Sequence, residues 1–223
     1  MSVSEEQFYE VHQPRSVGLW LMIKARSRIY SDFIDRMQPT AASSIIDVGV
    51  SDTISTGANL IERYYPRLDN LTACGLDECS GFKAAYPTVR YQRIDAHARL
   101  PFRDHEFDIA VSNAVLEHAG GYGKQVDFIS ELARIARRVF ITVPNRFFPF
   151  EHHTAIPFLH YADRTFRLAC AVVGKPHWAK EENLILMSRR RIAALVPPHL
   201  PFTVGYTGLK LGPLSSNLFL IIN

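Results

Sequence analysis

Short apolar runs recur along the chain, each opening into polar residues, and stretches with helical spacing lie between them. Residues 44–50 carry Ile45-Ile46 and then Asp47-Val48-Gly49-Val50, before Ser51, Asp52 and Thr53 take over. This predicts a buried strand that opens into a loop at the edge of a ligand crevice. Further strands are predicted over 71–77, 89–95, 107–113, 138–144, 202–211 and 216–222. Helices are predicted over 17–37, ended by Pro39; 56–65, closed by Pro66; 81–86, stopped by Pro87; and 124–136, with Val126, Ile129, Leu132, Ala133 and Ala136 on one face. Two more are predicted near 163–173 and over 188–196, the latter capped by Ser188 and stopped by Pro197-Pro198. The alternation argues an α/β fold: a doubly wound, mostly parallel seven-stranded sheet with helices on both faces. On this pattern, residues 1–43 are an N-terminal helical segment over the substrate side or the sheet edge. Residues 44–223 are the main domain, with a substrate-side insertion at about 146–187 that is dense in Phe and His.

Three predicted strands end in polar groups that share one sheet edge: Asp47 with Gly49, Asp77, and Asp95 followed by Ala96. Ligands of open α/β sheets sit at that carboxyl edge. An acid after the second strand suits two vicinal ribose hydroxyls, because a carboxylate accepts a bond from each. Asp95 can accept from an exocyclic amine, as on adenine. A strand-end Asp also serves as a helix N-cap, but three together favour an adenosine-containing ligand. The loop after the first strand discriminates between cofactors. It lacks the G-x-G-x-x-G that brings backbone to a pyrophosphate, and it lacks the Gly-Lys-Ser/Thr of a P-loop. Gly49 is its one early glycine, and Asp52 repels phosphate. Such a loop suits a ligand with positive charge and no phosphate.

Composition narrows the partners. The 223 residues are 47% hydrophobic and 21% charged, as in an ordinary globular domain. A net charge of +3 is too weak to imply nucleic acid, and the one basic run, Arg189-Arg190-Arg191, reads as a solvated helix start. Cys74, Cys79 and Cys170 have no matching Cys or His pair to complete a zinc site, so no metal is expected. The odd count, a polar N-terminus and the lack of any apolar run near ~20 residues predict a soluble, cytoplasmic protein in a reducing compartment, with no membrane span.

From 44 to 145 the residues resemble a class I S-adenosylmethionine-dependent methyltransferase, of the group often called type 11. IIDVGV resembles the first motif, GLDECS the acidic turn after the second strand, and IDAHARLPFRDHEFDIAVSNAVLEH the segment around the adenine and the fourth strand. RVFITVPNRFFPFEHHT resembles bacterial members whose fifth strand ends in Pro-Asn. The resemblance implies S-adenosyl-L-methionine as cofactor. Asp47 and Gly49 would border its methionine part, with Ser51 and Asp52 in the same loop, Asp77 would hold the ribose, and Asp95 and Ala96 would meet the adenine. Asn113 would lie beneath it, and Glu117-His118 near the methyl donor. The first loop departs from the usual Gly-x-Gly-x-Gly and keeps one glycine of three.

The expected reaction is methyl transfer to a small-molecule, sugar or lipid-linked acceptor. A hydroxyl acceptor also needs a base, and His118, Glu151, His152 and His153 are the candidates. The competing expectation, motivated by the glycine-poor loop, is a catalytically silent scaffold or cofactor-binding module on the same fold. A nicotinamide dehydrogenase is disfavoured by the missing glycine fingerprint.

Overall fold

The computed structural model describes residues 17–55, 57–151 and 157–223. Its centre is a seven-stranded sheet made of β1 (Ile45–Val48), β2 (Leu71–Gly75), β3 (Arg90–Arg93), β4 (Phe107–Asn113), β5 (Ala136–Pro144), β6 (Phe202–Leu211) and β7 (Leu214–Ile222). The strand order is β3-β2-β1-β4-β5-β7-β6. Strands β1 to β5 pair in parallel, while β7 runs antiparallel to both β5 and β6.

The central strands are apolar on both sides because both sheet faces are covered. Period-two alternation divides them between two cores. Ile46, Val48, Val139, Ile141, Val143, Leu218 and Leu220 face the side covered by α4 (Tyr122–Ile135) and α6 (Arg189–Leu195). Ile45, Ile109, Val111, Phe140, Phe219 and Ile221 face the other side. There they meet Ile29, Phe33 and Met37 of α1 (Val17–Met37), Leu60 and Ile61 of α2 (Leu60–Tyr64) and Phe82 of α3 (Ser80–Ala85). Helix α1 crosses this face toward the edge strand β6, where Thr207 Oγ1 donates to Asp32 at 2.6 Å. It stops at Gln38, whose φ of 44° leaves the helical region just before Pro39. Its other end abuts the loop after β1: a Cβ on Gly57 would lie 2.6 Å from Met22 Cε. No helix among the described residues is long and apolar enough to cross a membrane.

Several boundaries differ from the pattern-based expectation: β2 and β3 end at Gly75 and Arg93, two residues before Asp77 and Asp95, and two helix boundaries shift as follows. Helix α2 starts at Leu60 and not near residue 56, because Asn59 takes a left-handed conformation with φ 51°. Its amide is bound into the preceding loop. Helix α4 runs directly into β5 at Ala136 without a linker. Ser188 caps α6 as expected, its Oγ accepting from Arg191 N at 3.2 Å.

The insertion contains α5 (Asp163–Val172) and a small core of Phe166, Cys170, Trp178 and Leu184. Backbone bonds fasten it to the sheet edge. Ile185 N donates to Glu117 O at 2.8 Å, and Arg146 N donates to Met187 O at 2.9 Å. Cys74, Cys79 and Cys170 are free and buried.

Candidate active site

The loop after β1 is held by side chains where a glycine-rich loop would rely on bare backbone. Gly49 N and Val50 N both donate to Cys74 O, at 2.8 and 3.0 Å. Gly49 has φ +107°, and a Cβ there would meet Val115 Cγ2 at 2.2 Å, so conformation and packing both require glycine. Asn59 clamps Ser51 from both sides, accepting from its N–H and donating to its carbonyl, each at 2.9 Å. Ser51 Oγ accepts from Thr53 N at 3.0 Å. Asp52 Oδ1 accepts from Phe82 N at 2.8 Å, tying the loop to the first turn of α3. Ser51 and Asp52 thus shape the loop through their own side chains.

Asp47 is only 4% exposed and sits against Glu62 of α2, which is 2% exposed. Neither Glu62 oxygen has a hydrogen-bond donor among the described residues. Burial, and then the neighbouring Glu62 carboxyl, hold Asp47 well above the usual carboxylate range, and burial pushes Glu62 up to about 7. Two carboxyls in one desolvated spot make a strong demand for a cation or a shared proton. Glu62 was not among the sequence candidates. Its place, one helix after Asp47, becomes meaningful only when α2 folds back over the strand end.

The remaining strand ends are open. Asp77 lies two residues beyond β2 and is exposed, its carbonyl accepting from Tyr91 Oη at 2.5 Å. Asp95 and Ala96 lie beyond β3 and are also exposed. The segment that follows is anchored by Arg134 of α4, which donates to Leu100 O at 2.9 Å and Phe102 O at 2.8 Å while pairing with Glu131 and Asp104. Asn113 ends β4, and its Oδ1 accepts from Thr142 Oγ1 at 2.6 Å.

Beyond the ends of β4 and β5 the insertion closes over a second group. Glu117, Asn145, Arg146, Glu151 and His160 line one cavity with Leu184, Ile185 and Met187. Glu117 and His160 are each 1% exposed, and Glu151 is 5% exposed. His160 Nε2 lies 2.7 Å from Phe148 O, so Nε2 carries the proton and Nδ1 the lone pair in the neutral ring. His118 sits in the 3-10 turn Leu116–His118, its Nδ1 2.6 Å from Asn183 O and its ring 5.8 Å from that of Trp178. Of the expected bases, the fold therefore brings Glu151 into the cavity and ties His118 to the insertion. His152 and His153 lie outside the described residues. His160 joins the site only through the insertion's return to the sheet, whereas Asn145 follows directly on β5 and is held by β7, its Nδ2 donating to Ser215 O at 2.8 Å. The described residues hold no cluster of three or more metal-ligating side chains.

Comparison with known proteins adds two findings. A family model described as a methyltransferase domain matches residues 57–139. Among solved structures, the chain is similar to an S-adenosylmethionine-dependent methyltransferase from Thermotoga maritima described as a possible histamine N-methyltransferase. That match has 12% identity and a TM-score of 0.59, covering 92% of this chain and 93% of that one. It is also similar to the N-methyltransferase NodS from Bradyrhizobium japonicum, whose structure holds S-adenosyl-L-homocysteine. Here identity is 12% and the TM-score 0.54, with 88% and 85% covered. At such identity the likeness speaks for the fold. No curated protein matches the sequence.

Proposed function

We propose that this chain, a class I S-adenosylmethionine-dependent methyltransferase by its fold and by the matched domain, methylates a small-molecule, sugar or lipid-linked acceptor. The acceptor is held between the end of β4 and the insertion. One observation carries the reading: Glu117, Glu151 and His160, all but fully buried, converge on one space beyond the carboxyl ends of β4 and β5, which at about 10 Å³ must widen to admit an acceptor.

S-Adenosylmethionine fits the donor and acceptor set at the neighbouring strand ends. The desolvated Asp47–Glu62 pair suits its ammonium group, and Gly49 offers a surface without a side chain. Asp77 suits the ribose hydroxyls, Asp95 and Ala96 the adenine, and Asn113 lies beneath. Nothing in the loop favours phosphate. When bound, this cofactor supplies a methyl group on a sulfonium, which is already activated. The chain's own task is then alignment, for which effective molarities on the order of 10⁵ M or more are attainable. Leu184, Ile185 and Met187 exclude water from the acceptor space. For a hydroxyl acceptor, the proton passes to His160 Nδ1 as the new bond to carbon forms, and Glu151 and Glu117 support the resulting imidazolium.

His160→Gln should lower turnover by about 10²-fold or more and leave S-adenosylhomocysteine affinity within twofold. Equal loss of both would place His160 in the fold and not in the chemistry. The silent-scaffold reading draws support from the loop in which Ser51, Asp52 and Asn59 replace flexible glycine backbone. Cofactor binding without turnover over a broad acceptor panel would establish it. Calorimetry showing no binding of S-adenosylmethionine or S-adenosylhomocysteine at millimolar ligand would sink the catalytic reading.

A further inference from the structure

Beside the acceptor space lies a second cavity of about 70 Å³ that shares Arg146, Leu184, Ile185 and Leu186 with it. One water needs roughly 10–15 Å³ of such space, so a group of several heavy atoms fits. Three arginines from three parts of the chain line it: Arg146 after β5, Arg167 on α5 and Arg191 on α6. Two are matched by acids. Arg146 pairs with Asp163, and Arg167 pairs with Glu181 at 3.6 Å. Arg191 is not matched. Its Nη2 donates to the neutral amide oxygen of Gln125 at 3.3 Å, and it has no carboxylate partner among the described residues. The Nε atoms of both Arg146 and Arg191 are buried with no acceptor among the described residues.

A buried charged donor without an acceptor is costly, because it loses its water and gains no partner in return. A fold that keeps two of them on one cavity has a reason that its own carboxylates do not supply. The guanidinium fork matches the paired oxygens of a carboxylate or a phosphate, and Phe166 and Trp178 give the cavity rigid apolar walls. We propose that this cavity is an anion subsite for the methyl acceptor. Arg191 and Arg146 hold a carboxylate or phosphate group of the acceptor and so place its reacting end beside Glu117, Glu151 and His160. This rests on the methyltransferase reading above and names a substrate class for it: acceptors that carry an oxyanion.

The test uses the full chain loaded with S-adenosylhomocysteine, titrated in a calorimeter with inorganic phosphate and with acetate against sodium chloride at matched ionic strength. Phosphate or acetate should bind in the millimolar range, more tightly than chloride. Arg191→Gln should weaken that binding at least tenfold while S-adenosylhomocysteine affinity stays within twofold. The tighter of the two anions assigns the group. Arg167→Gln, on the exposed rim, should weaken it two- to threefold, and it decides the matter if the Arg191 variant does not fold. Anion binding no tighter than chloride, or anion binding unchanged in both variants, overturns the subsite. Failure to bind S-adenosylhomocysteine strikes the methyltransferase reading instead, and phosphate titration of the unloaded chain still judges the cavity.

Discussion

Asp47 and Glu62 set the electrostatics at the centre of the molecule. Burial raises both carboxyls, and the neighbouring Glu62 raises Asp47 further, so folding favours the protonated form. For Glu62 the resulting stabilisation is complete below its ordinary value near 4.5, declines as pH rises, and is gone above about 7. Glu62→Gln does not titrate. The stability of the ligand-free wild type relative to this variant should therefore fall by on the order of 3 kcal/mol across that window, as read by urea unfolding at a series of pH values. A difference independent of pH would mean that the two acids do not contend for one proton. Gly49 is the second residue with a single solution. Gly49→Ala should cost ~2–4 kcal/mol from the left-handed φ and the clash with Val115. Adding Val115→Ala should recover only the packing part, which a comparison of denaturation midpoints resolves. Asp77→Ala should weaken S-adenosylhomocysteine by ~1–3 kcal/mol with little change in stability, since Asp77 is exposed. Unchanged affinity in calorimetry would place the ribose elsewhere.

At the scale of elements, the site depends on segments that have little structure of their own. The stretch from Asp95 to Phe102 contains no helix or strand, and it places Asp95 and Ala96, both exposed, just beyond the end of β3. Arg134 does the fastening from α4, reaching two carbonyls and two carboxylates from a side chain that is 16% exposed. Arg134→Met leaves Glu131 without its cation and should cost ~2–3 kcal/mol. It should weaken cofactor affinity more than it alters the acceptor dependence of turnover, since the loosened segment carries Asp95 and Ala96, the residues proposed to meet the adenine. Helix α2 shows why the pattern overran at this point. Residues 56–59 include Gly57, a poor helix former, and the Asn59 amide gains two hydrogen bonds to Ser51 by leaving the helical conformation. A local propensity of a few tenths of a kcal/mol per residue does not oppose that.

At the scale of the whole molecule, two units meet at the carboxyl edge of one sheet. The sheet and its helices carry the strand-end acids, and the segment after β5, with a core of its own around Trp178, covers the space lined by Glu117, Glu151 and His160. Trp178 is 1% exposed. Trp178→Ala should cost ~3–5 kcal/mol of local packing and open the insertion. Acceptor turnover should collapse while S-adenosylhomocysteine still binds, and limited proteolysis should cut within the insertion first. Parallel loss of cofactor binding would show instead that the two units fold as one.

The fold was largely legible because it rests on periodicity. The apolar runs of the central strands and the helical spacings between them encode a two-faced sheet, and the acids at or just beyond strand ends, Asp47, Asp77 and Asp95, follow once the runs are located. Burial and return of the chain were not legible. Whether an acid is exposed like Asp77 or desolvated like Asp47 depends on a helix folding back over it. Whether His160 joins Glu117, or Arg191 joins Arg146, depends on an insertion bending to the sheet. These juxtapositions come from contacts between residues far apart in the chain, which no local pattern records. Tertiary structure alone therefore decided which acids are buried together, which histidine reaches the cavity, and which arginine has no carboxylate partner among the described residues.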